Sequence, residues 1–154
     1  MAISPNTDFS AGAILTATQQ NQFPRGIMAL NTNTSSSAGI TSEALQITST
    51  SFTAVANRYY KITYFEPDVV VNATTVDYIF ARIRLTNIAG AIQQSGTAEV
   101  SAQRSAVEIQ LIKTFTAGTV TICGTLTAAG TGSVVANRAA DKVSYISVED
   151  VGPA

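Results

Sequence analysis

The sequence predicts an all-β protein: an antiparallel β-sandwich preceded by an N-terminal arm that carries one short helix. Three observations predict it. Charged residues make up 12% of the 154-residue chain, against roughly 25% in an average soluble domain, so Thr, Ser, Asn, Gln and Ala must cover the surface. Threonine is branched at Cβ, which suits a pleated strand better than a helix. From Gly26 onward, short extended segments alternate with turn residues at the spacing of a sandwich.

The arm comprises residues 1–25, where Ser4, Pro5, Asn6, Thr7, Asp8, Ser10 and Gly12 offer turn chemistry and little hydrophobic periodicity. Within it Thr16-Ala17-Thr18-Gln19 matches a capping box, the Thr16 hydroxyl accepting from the Gln19 amide while the Gln19 side chain returns to the Thr16 N–H. The pattern predicts a helix over 16–22. Pro24 disfavours helical geometry at Phe23, and Gly26 frees the chain to turn. Phe9, Ile14, Leu15 and Phe23 lack partners within so short a piece, so the arm is expected to dock on another surface.

The sandwich comprises residues 26–154, with strands expected over 26–31, 43–55, 58–66, 76–87, 105–116, 118–127 and 141–149. Alternation places Tyr60, Ile62 and Tyr64 on the core face of the third strand. In the fourth, burying Ile79, Ile83 and Leu85 turns Arg82 and Arg84 outward. Val107, Ile109 and Leu111 share a face, and Val120 and Ile122 resume it after the turn at Ala117-Gly118. In the last segment Pro153 blocks extension as a central strand. Residues 31–39 and 128–132 read as exposed connections. No internal repeat is evident.

Size alone allows one core without disulfides or metals. Cys123, inside the apolar run 120–124, is expected to be buried and inert. The net charge of −1 with nine scattered basic residues leaves no footprint for a phosphate backbone, so nucleic acid is not an expected partner. No stretch approaches the roughly 20 apolar residues of a membrane helix, and the Met-Ala-Ile-Ser-Pro start lacks the regions of a secretory signal. Synthesis in the cytoplasm, without membrane insertion, is expected.

The chain contains no histidine, which removes the usual general base, zinc ligand and Ser-His or Cys-His arrangements. Glu66 with Asp68, and Glu149 with Asp150, are the carboxylate pairs a glycosidase could use. Glu66-Pro67-Asp68 reads as a polar turn ending a strand, while Glu149 and Asp150 face opposite sides of an extended segment. The acids lack the spacing of a calcium loop, and the glycines lack a phosphate-cradling pattern. No catalytic residue, metal or cofactor is predicted. Arg82 and Arg84, two guanidinium groups on one strand face, could take carboxylates of a neighbouring subunit or anionic groups of a receptor.

Over 52–64, Phe52, the turn at Ala56-Asn57 and the strand Tyr59-Tyr60-Lys61-Ile62-Thr63-Tyr64 resemble the jelly roll of complement-type globular heads and tumour-necrosis-factor-like domains. The likeness continues through 82–85, 116–122 and 143–148, with Asn57 where the family has glycine. Phe9-Ser10-Ala11-Gly12-Ala13-Ile14-Leu15-Thr16-Ala17-Thr18-Gln19-Gln20-Asn21 is similar to the opening of tailed-bacteriophage virion proteins, and Ser147-Val148-Glu149-Asp150-Val151-Gly152-Pro153 to the final strand of phage tail and appendage proteins. These resemblances imply a virion structural protein of tail-fibre, tail-tip or head-decoration type. Its arm would dock on other virion proteins and its jelly roll would form a homotrimer. Tyr59, Phe65, Tyr78 and Phe80, with Arg82 and Arg84, are the expected oligomer-interface residues. The alternative is a host-receptor- or carbohydrate-binding module acting through loops 31–39 and 128–132, a reading the absence of Trp weakens for sugars.

Overall fold

The computed structural model describes Gly12 and residues 14–72, 78–99 and 104–154. Thr16 caps α1 (Ala17–Gln20) as its sequence requires: the Gln19 N–H donates to Thr16 Oγ1 at 3.2 Å and the Thr16 N–H to Gln19 Oε1 at 2.9 Å. Twelve strands follow: β1 (Gly26–Asn33), β2 (Ser37–Ile40), β3 (Ala44–Thr48), β4 (Phe52–Ala54), β5 (Arg58–Asn72), β6 (Tyr78–Leu85), β7 (Ile92–Glu99), β8 (Ser105–Thr114), β9 (Gly118–Val120), β10 (Ile122–Ala128), β11 (Ser133–Ala136) and β12 (Ser144–Pro153).

All strand pairings are antiparallel. Sheet A runs β1-β12-β5-β8, with β11 and β2 extending it along the far half of β5, and sheet B runs β3-β10-β6-β7. Apart from the short strands β2, β4, β9 and β11, these two four-stranded layers have the doubled Greek-key order of a jelly roll. The protein is therefore a β-sandwich.

Alternation sends one set of side chains from each sheet into the shared interior. Tyr60, Ile62, Tyr64, Ile146 and Val148 from sheet A meet Ile79, Ile83, Ile122 and Leu126 from sheet B, all at 0–1% exposure. Each large aliphatic buried this way contributes about 1.5–3 kcal/mol. Tyr60 also closes one end of the sandwich, its ring 5.6 Å from both Phe52 and Phe115 and its hydroxyl accepting from the Val55 N–H at 2.8 Å. Asn57, in the turn that leads into β5, has φ +58°, a left-handed conformation that Asn tolerates better than most residues.

Close packing also fixes one glycine. Gly124 of β10 faces inward, and a Cβ added there would stand 2.6 Å from the Tyr64 ring. Gly124→Ala is expected to lower the unfolding free energy by about 1–3 kcal/mol through overpacking. A denaturant titration giving no change would mean that Tyr64 has room to move.

The structure corrects several expected elements. The strand expected over 43–55 divides into β3 and β4, because Ser49 turns onto β10: its N–H donates to Ile122 O at 2.8 Å and its Oγ accepts from the Ile122 N–H at 3.0 Å. The segment 118–127 likewise divides into β9 and β10, β9 pairing with β4. Glu66-Pro67-Asp68 is not a turn, since β5 continues through it to Asn72. Pro67 is tolerated because it interrupts no ladder: β12 pairs with β5 up to Phe65, β11 begins at Val69, and the pairing with β8 shifts register between Glu66 and Val69. The final strand reaches Pro153, which stands at its end. Three strands were not expected: β2 within the supposed connection 31–39, the polar β7, and the four-residue β11. The connection at 129–132 lies between β10 and β11.

Candidate interaction surfaces

One guanidinium joins the arm to the sandwich. Arg58 opens β5 with its side chain 5% exposed, and Asp150 of β12 is completely buried beside it. Arg58 Nε donates to Asp150 Oδ2 at 2.5 Å and Nη2 to Oδ1 at 2.7 Å, while Nη1 donates to Asn21 O at 2.5 Å and Nη2 to Phe23 O at 2.6 Å. The carboxylate raises the already high pKa of this arginine, and Asp150 Oδ1 also accepts from the Gly152 N–H at 3.0 Å. Two backbone carbonyls at the C-terminal end of α1 are thereby held to the core. Ile14 is 91% exposed, while Leu15 at 43% and Phe23 at 39% are more than half buried; Phe9 lies outside the described residues.

The six residues expected at an oligomer interface fall on opposite sides of the molecule. Tyr59 and Phe65 lie on the outer face of sheet A. There the register aligns Ile27, Glu149, Lys61 and Ile112 in one cross-strand row, Leu30, Ser147, Thr63 and Gln110 in the next, and Thr32, Tyr145, Phe65 and Glu108 in a third. The Phe65 and Tyr145 rings pack 5.3 Å apart. Ile27 is 66% and Ile112 61% exposed.

Tyr78, Phe80, Arg82 and Arg84 lie on the outer face of sheet B, beside Cys123, Thr125 and Thr127 of β10. The arginines are not left to a partner, because Glu43, just before β3, stands between them. Arg84 Nε donates to Glu43 Oε1 at 2.5 Å, Arg84 Nη2 and Arg82 Nη1 to Oε2 at 2.6 and 2.5 Å, and Thr125 Oγ1 to Oε1 at 2.5 Å. The Arg82 guanidinium also covers the Phe80 ring at 5.1 Å. Beneath this layer the Cys123 thiol is fully buried, and burial raises its pKa.

Hydrogen bonds led by Arg84 hold the Glu43 carboxyl down to about 2 from an ordinary 4.5. Asp68 is shifted the same way, by Lys142 first and then Arg104. A carboxylate depressed on folding stabilises the protein above its unfolded pKa and loses that contribution as pH falls through the folded value. The thermal midpoint is therefore expected to hold above about pH 5 and to drop between 4.5 and 2, with a shallower drop in Glu43→Gln. A midpoint that stays level to pH 2 would contradict this placement of Glu43.

The Glu66–Asp68 pair is structural. Glu66 is 1% exposed and accepts from Arg138 Nε at 2.9 Å, Arg138 Nη2 at 2.7 Å and the Tyr64 hydroxyl at 2.6 Å. Arg138 also donates to Ser35 O and Gln46 Oε1. Asp68 accepts from Arg104 at 2.8 Å and Lys142 at 2.6 Å. Carboxylates engaged in this way have no free oxygen aimed at a cleft where a substrate could react, and among the described residues no group of three His, Cys, Asp or Glu could hold a metal.

Among the described residues, a groove of about 410 Å³ lies between α1 and the turn before β5, lined by Thr18, Asn21, Gln22, Arg25, Ala56 and Asn57 among others. Another, of about 290 Å³, runs between β1 and β3 along residues 31–33 and 45–48. Here Asn31 Nδ2 donates to Thr48 O at 2.7 Å and Asn33 Nδ2 to Gln46 O at 3.0 Å. On the opposite side of the sandwich Lys113 Nζ donates from β8 to Gln93 Oε1 of β7. Among the described residues, no helix is long and apolar enough to cross a membrane.

Glu43 and Arg138 were not singled out from the sequence, and Asp150 was weighed only as half of a carboxylate pair with Glu149, not as the partner of Arg58. Parity offered a signal for two acids: Glu66 continues the Tyr60, Ile62, Tyr64 face, and Asp150 continues that of Ile146 and Val148. Neither Glu43 nor Arg138 carries a comparable signature.

No protein family matches the chain, and no curated protein does. Among solved structures, it is similar to the CBM22-1 xylan-binding domain of Xyn10C from Paenibacillus barcinonensis, at 12% identity and a TM-score of 0.36 over 86% of this chain and 99% of that one. It is similar to the CBM22-1–GH10 modules of the Clostridium thermocellum endo-1,4-β-D-xylanase 10B, at 9% identity and 0.37 over 85% of this chain and 29% of that one. A chain of infectious bursal disease virus, Gt strain, matches at 12% identity and 0.40 over 98% of this chain and 45% of that one. These likenesses are too distant to carry an argument; the sandwich is established by the strand pairing itself.

Proposed function

We propose that the chain is a non-enzymatic structural subunit of a phage virion that works as a homo-oligomer, of tail-fibre, tail-tip or head-decoration type, anchored by its N-terminal arm. The observation that carries the reading is the outer face of sheet A, where Ile27, Leu30 and Ile112 are 46–66% exposed around the Phe65–Tyr145 pair. Exposed aliphatic side chains gathered around an aromatic pair on a weakly charged protein fit a surface that assembly covers. The sequence resemblances of the arm and the last strand supply the virion, and that of the jelly roll supplies the trimer. Arg58 supports an anchoring role for the arm, because it fixes α1 to the core while Ile14 stays 91% exposed.

Light scattering of the full chain over a range of concentrations tests this directly. The expected molar mass is a multiple of the 16.1 kDa chain mass, threefold for the trimer. A folded monomer that persists from nanomolar to high micromolar concentration would end the reading.

The second reading, a receptor- or carbohydrate-binding module, finds its support in the polar groove along residues 31–33 and 45–48. Asn31 and Asn33 already spend their amide donors on β3 there, which leaves few groups for a glycan. Binding to host cells but not to emptied capsids would favour it.

A further inference from the structure

We infer that the outer face of sheet A, rather than the outer face of sheet B or a strand edge, is the surface on which a second copy of this chain docks. This inference rests on the homo-oligomeric reading above and names the surface through which it is realised.

The other surfaces carry polar contacts made within the chain. An open strand edge recruits another chain through unpaired backbone groups, but the Asn31 and Asn33 amides already engage the β3 carbonyls of Thr48 and Gln46. On the opposite side Lys113 ties β8 to β7. The middle of sheet B carries the Glu43–Arg82–Arg84–Thr125 network and the guanidinium over Phe80, with Leu45 and Ile92 48% and Tyr78 46% exposed around them. A partner docking there would have to break a layer of charge-assisted bonds before making its own.

The outer face of sheet A has no such layer of ion pairs among the described residues. It has exposed aliphatic side chains at both margins, Ile27 at 66% and Leu30 at 46% on β1 and Ile112 at 61% on β8. Between them lie the small or uncharged Ser147 and Thr63 and the Phe65–Tyr145 pair. Four strands about 4.8 Å apart and about 26 Å long give roughly 500 Å² in projection, the same order as the ~800 Å² that each partner of a standard interface buries.

The charges on this face choose the occupant. Lys61 and Glu149 are cross-strand neighbours in the row between Ile27 and Ile112, and neither forms an ion pair among the described residues. The third charge of the face, Glu108, lies two rows away and accepts from the Gln110 side chain, so within the row between the apolar margins a strongly anionic or cationic partner would meet one matched and one opposed charge. A second copy brings an acid for the base and a base for the acid, together with its own apolar margins.

The test uses full-length chains followed by sedimentation velocity, with circular dichroism and thermal melts to confirm folding. Ile112→Asp and Leu30→Asp, both at exposed positions, are expected to weaken self-association by roughly tenfold or more, since each puts a charge where the interface would bury an aliphatic side chain. Lys61→Glu and Glu149→Lys are each expected to weaken it, and the double reversal to recover much of the loss. Tyr78→Asp on sheet B is expected to leave it unchanged. Folded sheet A variants that associate like the parent, or a Tyr78→Asp chain that dissociates, would overturn the assignment of the face while leaving the oligomer intact. A parent chain that is monomeric at every concentration would overturn the oligomer itself, and the inference with it.

Discussion

Replacing Arg138 by alanine is expected to lower the unfolding free energy by roughly 3–5 kcal/mol, the range for removing one partner of a buried ion pair. Arg138 and Glu66 are each 1% exposed, so the substitution leaves the Glu66 carboxylate in the interior without its bidentate partner. The Tyr64 hydroxyl remains bonded to that carboxylate, in a place where burial, and then Glu66, already raises the phenol pKa. Gln46 and the backbone at Ser35 lose their donor too. For a domain whose total stability is of order 5–15 kcal/mol, the variant would be marginal. Combining it with Glu66→Leu is expected to restore much of the loss, because the stranded charge is then gone. Urea titrations of the single and double variants decide the matter. A loss below about 1 kcal/mol for Arg138→Ala would mean that water reaches Glu66.

Arg58→Ala is expected to cost a similar 3–5 kcal/mol by stranding Asp150, with a second effect that Arg138→Ala lacks. The carbonyls of Asn21 and Phe23 lose the donor that holds them, so amide exchange should accelerate around α1 relative to the rest of the chain. Arg58→Lys would keep the charge but not the fork that reaches Asp150 and two carbonyls at once, and is expected to recover only part of either effect. If the α1 amides exchange at the parental rate in Arg58→Ala, the arm is held by something other than this guanidinium.

Much of the sandwich was legible in the sequence because its core strands alternate cleanly. Tyr60, Ile62 and Tyr64, then Ile79 and Ile83, then Ile146 and Val148 mark their own inward faces. The capping box was legible for the same reason: both of its hydrogen bonds are local. What escaped was set by distant partners. Pro67 reads as a strand breaker until β12 and β11 are seen to leave a gap opposite it. The polar β7 is a strand because β6 pairs with it, and no hydrophobic period announces that. Arg82 and Arg84 were read as available because alternation gives the face of a side chain and not its neighbour. Glu43, 39 and 41 positions away, becomes their counter-ion only when β3 and β6 are brought beside β10. Tyr59 and Tyr78 could be grouped as interface residues on a sequence, and the two sheets then put them on opposite sides.

The sheet order also governs how the chain comes to be folded. β1 has a single strand partner, β12, with Gly26 paired to Asp150 and Asn33 to Ser144, so an early-synthesised segment waits for one made roughly 110 residues later. At a translation rate of about 5–20 residues per second, that interval lasts several seconds, during which β1 and the first half of β5 both lack their strand between them. Contacts so distant in sequence place such a topology among the slow folders, in the millisecond-to-second range once the chain is whole. Nascent chains therefore pass through a stage with Met28, Ala29 and the Tyr-rich β5 uncovered, a stage at which binding by a chaperone, or premature pairing between chains on the same message, has its opportunity.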